Sequence, residues 1–270
     1  MKQAYPILEF DPAPRGIIEP RRPAELAPVP EACVVCFFGE VIRKLAREKR
    51  LRRIHSLRSE MGPHPVYELV VDGRPRVTVF PSAVGAALAA GLVDELIACG
   101  ARRFVACGGA GVLDREIAVG HVVIPVSAVR DEGTSYHYLA PGREVTPDPA
   151  AVAAIEQVLQ AHGVPYVKGK TWTTDGFYRE TPDKVALRRA EGCLTVEMEA
   201  AAFFAVAQFR GVQFGQMLYG GDDVSGAEWD HRDWHRRTTL RERLFWLAVE
   251  AAIACGDAAG GRPRQPAEGA

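Results

Sequence analysis

The stretch LTVEMEAAAFFAVAQFRG (residues 194–211), followed directly by VQFGQMLYGG (212–221), decides the fold class of this chain. The first stretch combines a short apolar strand with a helix, and the second predicts a further strand. A strand, a helix and another strand in succession are typical of a parallel β-sheet that is covered by helices.

The same alternation continues through the rest of the chain. ACVVCFF (32–38) predicts a buried strand, and the GEVIRKLAREKR that follows it begins a helix. RRFVACGGAG (102–111) predicts a strand that runs into a glycine-rich turn, and Asp72-Gly73 predicts the tight turn of a hairpin. The other predicted segments are helices at 83–100, 149–163 and 238–256 and strands at 66–71, 75–80, 121–129 and 164–174. We therefore expect one α/β domain over residues 31–257, with a central mixed, largely parallel β-sheet flanked by helices.

The two ends of the chain show no pattern of a packed element. Residues 1–30 contain seven prolines with little periodicity, which predicts a proline-rich extended arm. Residues 258–270, AAGGRPRQPAEGA, are typical of a disordered tail.

Composition and charge narrow the class of protein. The 270 residues are 47% hydrophobic and 25% charged, and the net charge of −1 does not favour a nucleic-acid-binding surface. No apolar run reaches the roughly 18 residues of a membrane span, and the first residues lack a signal-peptide core. The six cysteines are scattered through apolar runs, so we expect buried, reduced thiols in a cytoplasmic protein without nucleic-acid or membrane partners. Cys33 and Cys36 have the spacing of a redox pair, but residues three apart on a strand face opposite sides.

Three of the predicted strands end in residues that can carry chemistry, and open α/β sheets bind ligands at such ends. CGGAG (107–111) lets a ligand approach the backbone closely, although a tight turn needs the same glycines. Glu197-Met198-Glu199 offers two carboxylates to sugar hydroxyls, or begins a helix. Asp222-Asp223 can hold a proton donor, or can cap a helix.

In this order, the three strand ends resemble the nucleoside phosphorylases of the superfamily that contains uridine phosphorylase and hexameric purine nucleoside phosphorylase. The resemblance runs over roughly residues 33–250. Its sharpest pieces are GEVIR (39–43), VGHVVIP (119–125), AVRDEGTS (128–135) with His137, TTDGFY (173–178) and VEMEAA (196–201). It implies cleavage of the N-glycosidic bond of a nucleoside, with inorganic phosphate as co-substrate and no metal or organic cofactor.

The resemblance also implies a role for each matched residue. For phosphate it implies Gly39, Arg43, Arg58 and Gly109, with Arg58 reaching the phosphate of a neighbouring subunit. For the ribose it implies Met198 and Glu199, and for the base Phe177, Glu197 and Asp222. The implied catalytic pair is Asp222, which protonates the purine ring nitrogen, and Arg236, which pairs with that acid. This chemistry is sound, since an acid near the base neutralises the charge that develops on the leaving group.

Some positions depart from the family pattern. Ala106 stands where the family usually has an arginine, and Gly109 where it has a serine or threonine. Losing the arginine contact weakens phosphate binding by about 1.5–3 kcal/mol, and we expect Ala106→Arg to strengthen it if the new side chain fits. Thr181 and Asp183 stand near the positions where uridine phosphorylases read uracil, so the presence of Asp222 favours a purine.

Three functions therefore stay open. A phosphorylase is favoured, a phosphate-independent nucleosidase is the runner-up, and a nucleoside-binding module without catalysis is the third. The family builds its sites across subunit interfaces, so we expect a homo-oligomer, either a dimer or a trimer of dimers. His231 and His235 would share one face of a helix, as a zinc pair does, but we expect no metal there and interpret the segment as either the start of a surface helix or a surface loop that covers the site.

Overall fold

The computed structural model describes residues 2–70 and 76–257, so the predicted turn at Asp72-Gly73 and the predicted tail at 258–270 lie outside the described residues. The described strands are β1 (Ala32–Cys36), β2 (Leu51–Ser59), β3 (Gly62–Leu69), β4 (Val77–Pro81), β5 (Arg103–Val112), β6 (Val122–Asp131), β7 (Glu144–Val145), β8 (Tyr166–Thr174), β9 (Cys193–Glu197) and β10 (Gln213–Asp223). The described α-helices are α1 (Gly39–Arg47), α2 (Ala86–Ala98), α3 (Pro149–Ala161), α4 (Pro182–Ala190), α5 (Ala200–Arg210) and α6 (Thr238–Asp257). Short 3-10 turns occur at Pro6–Leu8, Thr134–His137, Phe177–Arg179 and Trp234–Arg236.

The strands form one mixed sheet in the order β10-β6-β8-β9-β5-β1-β4-β3-β2, with β7 beside β6. Neighbours pair in parallel at β1–β4, β1–β5, β5–β10, β6–β8 and β8–β9. Because β10 also pairs with β5, the strands β5, β10, β6, β8 and β9 form a closed circuit of pairings. The predicted fold class, a single α/β domain with a largely parallel sheet flanked by helices, is confirmed.

Two apolar layers cover the faces of the sheet. The layer with α1, α3 and α6 contains Cys36, and the layer with α2 and α5 contains Cys33, so these two cysteines do face opposite sides. All six cysteines are buried and free, as predicted. Helix α5 is apolar on every side because it lies in the core, and Gly211, with a φ of +66°, ends it in the left-handed conformation. No helix in the described parts of the chain is long and apolar enough to span a membrane.

The glycine stretch that follows Cys107 does not form the predicted turn. Strand β5 continues through it to Val112, since it pairs with β10 through Ala110 and again at Val112, and with β9 at Gly111 and Val112. The glycines instead make room for neighbouring side chains. A Cβ atom on Gly109 would lie 3.1 Å from the ring of Tyr219, and one on Gly111 would lie 3.0 Å from Val196 Cγ1.

The described part of the N-terminal arm contacts the α/β domain of the same chain and has little regular structure. Its side chains are mostly exposed, including those of Ile17 and Ile18. Glu19 reaches Arg210 at 3.4 Å, and the Val29 N–H donates a hydrogen bond to the carbonyl oxygen of Cys99.

Candidate active site

A cavity of about 320 Å³ lies where β5, β9 and β10 end. Its walls come from seven places: the segment between β1 and α1, the loop before α2, the end of β5, the junction of β9 with α5, strand β10, the segment around the 3-10 turn Phe177–Arg179, and α6 with the loop before it. The charged side chains that line it are Glu180, Glu197, Glu199, Asp222 and Arg241. The sequence predicted three of the four acids but neither Glu180 nor Arg241.

Glu197 holds the start of helix α5. One carboxylate oxygen accepts hydrogen bonds from the backbone N–H groups of Glu199 and Ala200, at 2.8 and 2.7 Å. The other accepts a hydrogen bond from the Thr173 hydroxyl at 2.6 Å. This carboxylate therefore satisfies the unpaired donors of the first helical turn. The structure gives Glu197 a capping role beside the base contact that the resemblance implied.

Glu199 stands on the cavity wall two residues further on, next to the half-buried Met198. Its side chain is buried, and one carboxylate oxygen accepts a hydrogen bond of 2.5 Å from the backbone N–H of Gly85. Burial raises the pKa of Glu199, and the nearby charge of Glu197 raises it further. Burial likewise raises the pKa of Glu197, in spite of its hydrogen bonds. Two carboxyl groups so close together in a dry site hold a proton up to neutral pH.

Asp222 lies in the cavity at the end of β10, where the sequence predicted the acid. One of its carboxylate oxygens accepts a hydrogen bond of 2.6 Å from the indole N–H of Trp229. Phe177, which was predicted to pack on the base, also lines the cavity, and 51% of its surface is exposed. Glu180 lies three residues after Phe177 in the sequence. Burial, and then the charge of Asp222, raise the pKa of Glu180 to about 7.

Arg236 does not pair with Asp222 in this structure. The 3-10 turn Trp234–Arg236 places the Trp234 side chain in the cavity wall and leaves Arg236 exposed. Arg241, on the next helix, enters the cavity instead. Its guanidinium donates hydrogen bonds to the Tyr219 hydroxyl at 3.0 Å and to Glu40 at 2.8 Å. It also lies 5.2 Å from the ring centre of Trp234.

The predicted phosphate residues are only partly brought together. Gly109 lines the cavity, while Arg43 folds its guanidinium over Gly39 on the first turn of α1, where a Cβ on Gly39 would lie 3.1 Å away. Arg58 is exposed on β2, at the far edge of the sheet. Neither arginine is among the described residues that line the cavity.

The expectation that Ala106→Arg strengthens phosphate binding is wrong for this structure. Ala106 is fully buried in the layer that contains α2 and α5. An arginine there would put an unpaired charge into the core, which costs several kcal/mol.

One group of side chains has the composition of a metal site. His231, Asp233 and His235 hold their potential ligand atoms within 4.8 Å of one another on the loop that precedes α6. Arg232 and Asp233 adopt left-handed backbone conformations, with φ of +50° and +49°, which bend the loop at this point. The two histidines are therefore brought together by a bent loop, as the surface-loop interpretation has it.

The cavity suits a neutral ligand that is rich in hydrogen-bond donors. Its four carboxyl groups can accept hydrogen bonds from hydroxyl and N–H groups, and its apolar and aromatic walls can hold a flat ring. Arg241 is the single positive side chain among the described residues that line it.

Comparison with known proteins agrees with this geometry. A model of the phosphorylase superfamily matches residues 31–254, and the chain belongs to this superfamily. It is 30% identical to the guanosine phosphorylase of Halorubrum lacusprofundi over 151 residues, which are 56% of this chain and 63% of that protein. It is 31% identical to the uridine phosphorylase of Treponema pallidum over 153 residues, which are 53% of this chain and 59% of that protein. The chain thus spans about three fifths of the length of these relatives.

The fold has close counterparts among solved structures. The purine nucleoside phosphorylase of Toxoplasma gondii, in complex with immucillin-H, superimposes with a TM-score of 0.72 at 19% sequence identity. The match covers 86% of this chain and 96% of that one. At this identity the likeness concerns the fold.

Proposed function

We propose that this protein cleaves the N-glycosidic bond of a nucleoside by phosphorolysis, releasing the free base and a sugar 1-phosphate. The observation that carries the proposal is the buried Glu199 carboxylate, held by the Gly85 N–H on the wall of a cavity that also presents Met198 and Asp222. The similarity to a guanosine phosphorylase and to a uridine phosphorylase supports phosphate as the nucleophile.

The proposed reaction uses the cavity as follows. The bond between C1′ and the base nitrogen breaks, and its electron pair leaves with the base. Glu199 accepts hydrogen bonds from the sugar hydroxyls, which become more acidic as positive charge develops on the ring, so the contact strengthens in the transition state. A phosphate oxygen attacks C1′, and an acid in the cavity protonates the departing base. This chemistry needs neither a metal nor an organic cofactor.

We propose a purine as the preferred base. Asp222 stands where it can give a proton to a purine ring nitrogen, and Phe177 offers an aromatic surface to the base. The similarity to a guanosine phosphorylase supports this preference.

We propose that phosphate binds weakly, because Arg241 is the single positive side chain among the described residues that line the cavity. Arg43 and Arg58 stand outside the cavity wall, and the backbone of Gly109 is paired with Tyr219 of β10. A phosphate-independent nucleosidase is the second candidate, and the excess of carboxyl groups over guanidinium in the cavity favours it.

The sugar product separates the two candidates. Purified protein is incubated with inosine, guanosine, adenosine and uridine, with and without phosphate, and the sugar is examined by phosphorus NMR. We expect a sugar 1-phosphate as the product. We also expect the rate to keep rising as the phosphate concentration increases, because phosphate binds weakly. Free sugar at a rate indifferent to phosphate would assign the protein as a nucleosidase. Activity that survives a chelator would agree with the absence of a metal.

We also propose that the protein works as a homo-oligomer. Arg58 is exposed at the sheet edge, away from the cavity of its own chain. This position agrees with a role in binding phosphate in the site of a second copy. The exposed Ile17 and Ile18 of the arm offer apolar contacts. Sedimentation of dilute enzyme should show a dimer or larger, and Arg58→Ala should raise the KM for phosphate. A fully active monomer would contradict both statements.

A further inference from the structure

Glu180 is a cavity carboxyl that the function proposed above leaves unused. It follows the 3-10 turn Phe177–Arg179, is half-buried, and lines the same cavity as Asp222. Among the described residues, its side chain has no hydrogen-bond or ion-pair partner. Asp222 keeps one carboxylate oxygen free as well, because the indole of Trp229 binds only the other. Two carboxyl groups therefore face the cavity with open hydrogen-bonding capacity.

The surroundings decide how these two groups hold protons. Partial burial, and then the charge of Asp222, disfavour the ionised form of Glu180. The other titratable or charged groups on the cavity wall are Glu197, Glu199 and Arg241. Neither glutamate offers a positive charge to Glu180 or Asp222, and the guanidinium of Arg241 is already bound to Glu40. Carboxyl groups in such a setting share one proton, because the second ionisation must work against the first charge.

We infer that Glu180 and Asp222 form a proton-sharing carboxyl pair that binds the nucleobase and protonates it as it leaves. Glu180 thereby takes the place beside Asp222 that the family resemblance implied for Arg236. The inference rests on the proposed function and deepens it, since it assigns the acid and the class of base. It fits a purine, whose N7 accepts the proton while a neighbouring N–H or amino group donates to the carboxylate.

The proton balance of the step is simple. The electron pair of the bond between C1′ and N9 enters the purine ring, and N7 takes the proton from the carboxyl pair. The base leaves neutral, the pair is left with both carboxyls ionised, and a proton from solvent restores it. A guanidinium beside Asp222 would work against this step, since a positive neighbour favours the ionised carboxylate. A second carboxyl has the opposite effect and keeps the proton available.

The test compares Glu180→Gln with wild type on guanosine and on 7-methylguanosine. The methylated base carries its positive charge before the bond breaks, so its departure needs no proton at N7. We expect Glu180→Gln to lower kcat on guanosine by about 10²-fold, the usual contribution of a general acid. On 7-methylguanosine, at one mildly acidic pH, kcat should stay close to wild type. Asp222→Asn should show the same contrast.

The pH profile gives a second readout. Burial and the charge of Asp222 raise the pKa of Glu180 to about 7, so the alkaline limb of kcat on guanosine should move when Glu180→Gln removes this group. Glu228→Gln, at an exposed acid on the loop between β10 and the 3-10 turn Trp234–Arg236, is the matched control and should change kcat on neither nucleoside. Thermal unfolding of each variant establishes that it is folded.

The possible outcomes are distinct. Equal losses on both substrates with an unmoved alkaline limb would show that Glu180 only shapes the cavity, and would overturn the inference. Wild-type protein that cleaves neither nucleoside would overturn the proposed function itself, and this inference with it.

Discussion

The carboxylate of Glu199 and the backbone N–H of Gly85 are joined by a hydrogen bond of 2.5 Å, across 114 residues of sequence. The bond ties the start of α5 to the loop before α2. Gly85 has a φ of +99°, a conformation that favours glycine and turns its N–H toward the carboxylate. The Glu199 side chain, which we propose to hold the ribose, is thus positioned by a backbone N–H group of the loop before α2.

We predict that Glu199→Gln lowers turnover far more than stability. The amide oxygen can still accept the hydrogen bond from Gly85, so the fold keeps its contact, but an NH2 donor replaces the second oxygen, which in our proposal accepts a hydrogen bond from a sugar hydroxyl. We expect kcat to fall by at least about tenfold, equivalent to about 1.4 kcal/mol in the transition state. Steady-state kinetics and thermal unfolding of the same samples check this. A folded variant with wild-type kcat would leave Glu199 with a structural role only.

The cavity carboxyls also predict how stability depends on pH. The pKa of Glu180 is about 7 in the fold, against an ordinary value of 4.5. Between these two pH values the folded chain therefore binds more protons than the unfolded chain. Its contribution to stability is complete below about pH 4.5 and is lost as the pH rises to about 7. We expect Glu180→Gln to flatten this fall in melting temperature. The quantity to measure is the difference in melting temperature between variant and wild type at each pH, since the contributions of the other titratable groups cancel in it.

Gly109→Ala should destabilise the protein by about 1–3 kcal/mol through overpacking. Its new Cβ would lie 3.1 Å from the ring of Tyr219, which is fully buried and cannot move aside. Gly91→Ala, inside helix α2 with open space around it, is the matched control. It should stabilise the protein by about 0.5–1 kcal/mol, because glycine is a poor helix former. Urea unfolding of both variants tests the contrast, and equal effects would refute it.

Arg241→Lys should weaken both stability and activity. Arg241 joins Glu40 on α1 to Tyr219 on β10, and its planar head stacks near Trp234 in the cavity wall. A lysine cannot bridge both partners, so we expect a loss of about 1.5–3 kcal/mol and a lower kcat/KM. Arg243→Lys, exposed on the same helix, should be neutral. Denaturant unfolding and kinetics on one nucleoside decide whether the bridge matters.

Ala106→Arg should fail to improve phosphate binding. The fully buried Ala106 leaves a guanidinium no route to water, so we expect aggregation or a loss of more than about 3 kcal/mol. Soluble expression and thermal unfolding test this. A folded variant with a lower KM for phosphate would show that the packing around Ala106 rearranges.

Local patterns in the sequence determined the fold class and much of the site. Alternating apolar strands and helices predicted the α/β sheet, and the acids at the ends of β9 and β10 were found because the ends of parallel strands gather at one edge. The glycine stretch was misjudged as a turn, since the need for glycine came from Tyr219 and Val196 of other strands. Such contacts have no local signature.

Only the tertiary structure decided which charges face the cavity. Arg236 and Arg241 stand five residues apart in one arginine-rich segment, and the 3-10 turn Trp234–Arg236 leaves the first in solvent while α6 carries the second inward. Glu180 carries no motif of its own, and it becomes a candidate acid only because the fold sets it near Asp222. The sequence by itself determined which helices and strands form, and which strands end in polar residues. It could do so because periodicity and turn chemistry are local properties. The partners of each carboxyl were decided by packing, because burial and charge depend on residues that are distant along the chain.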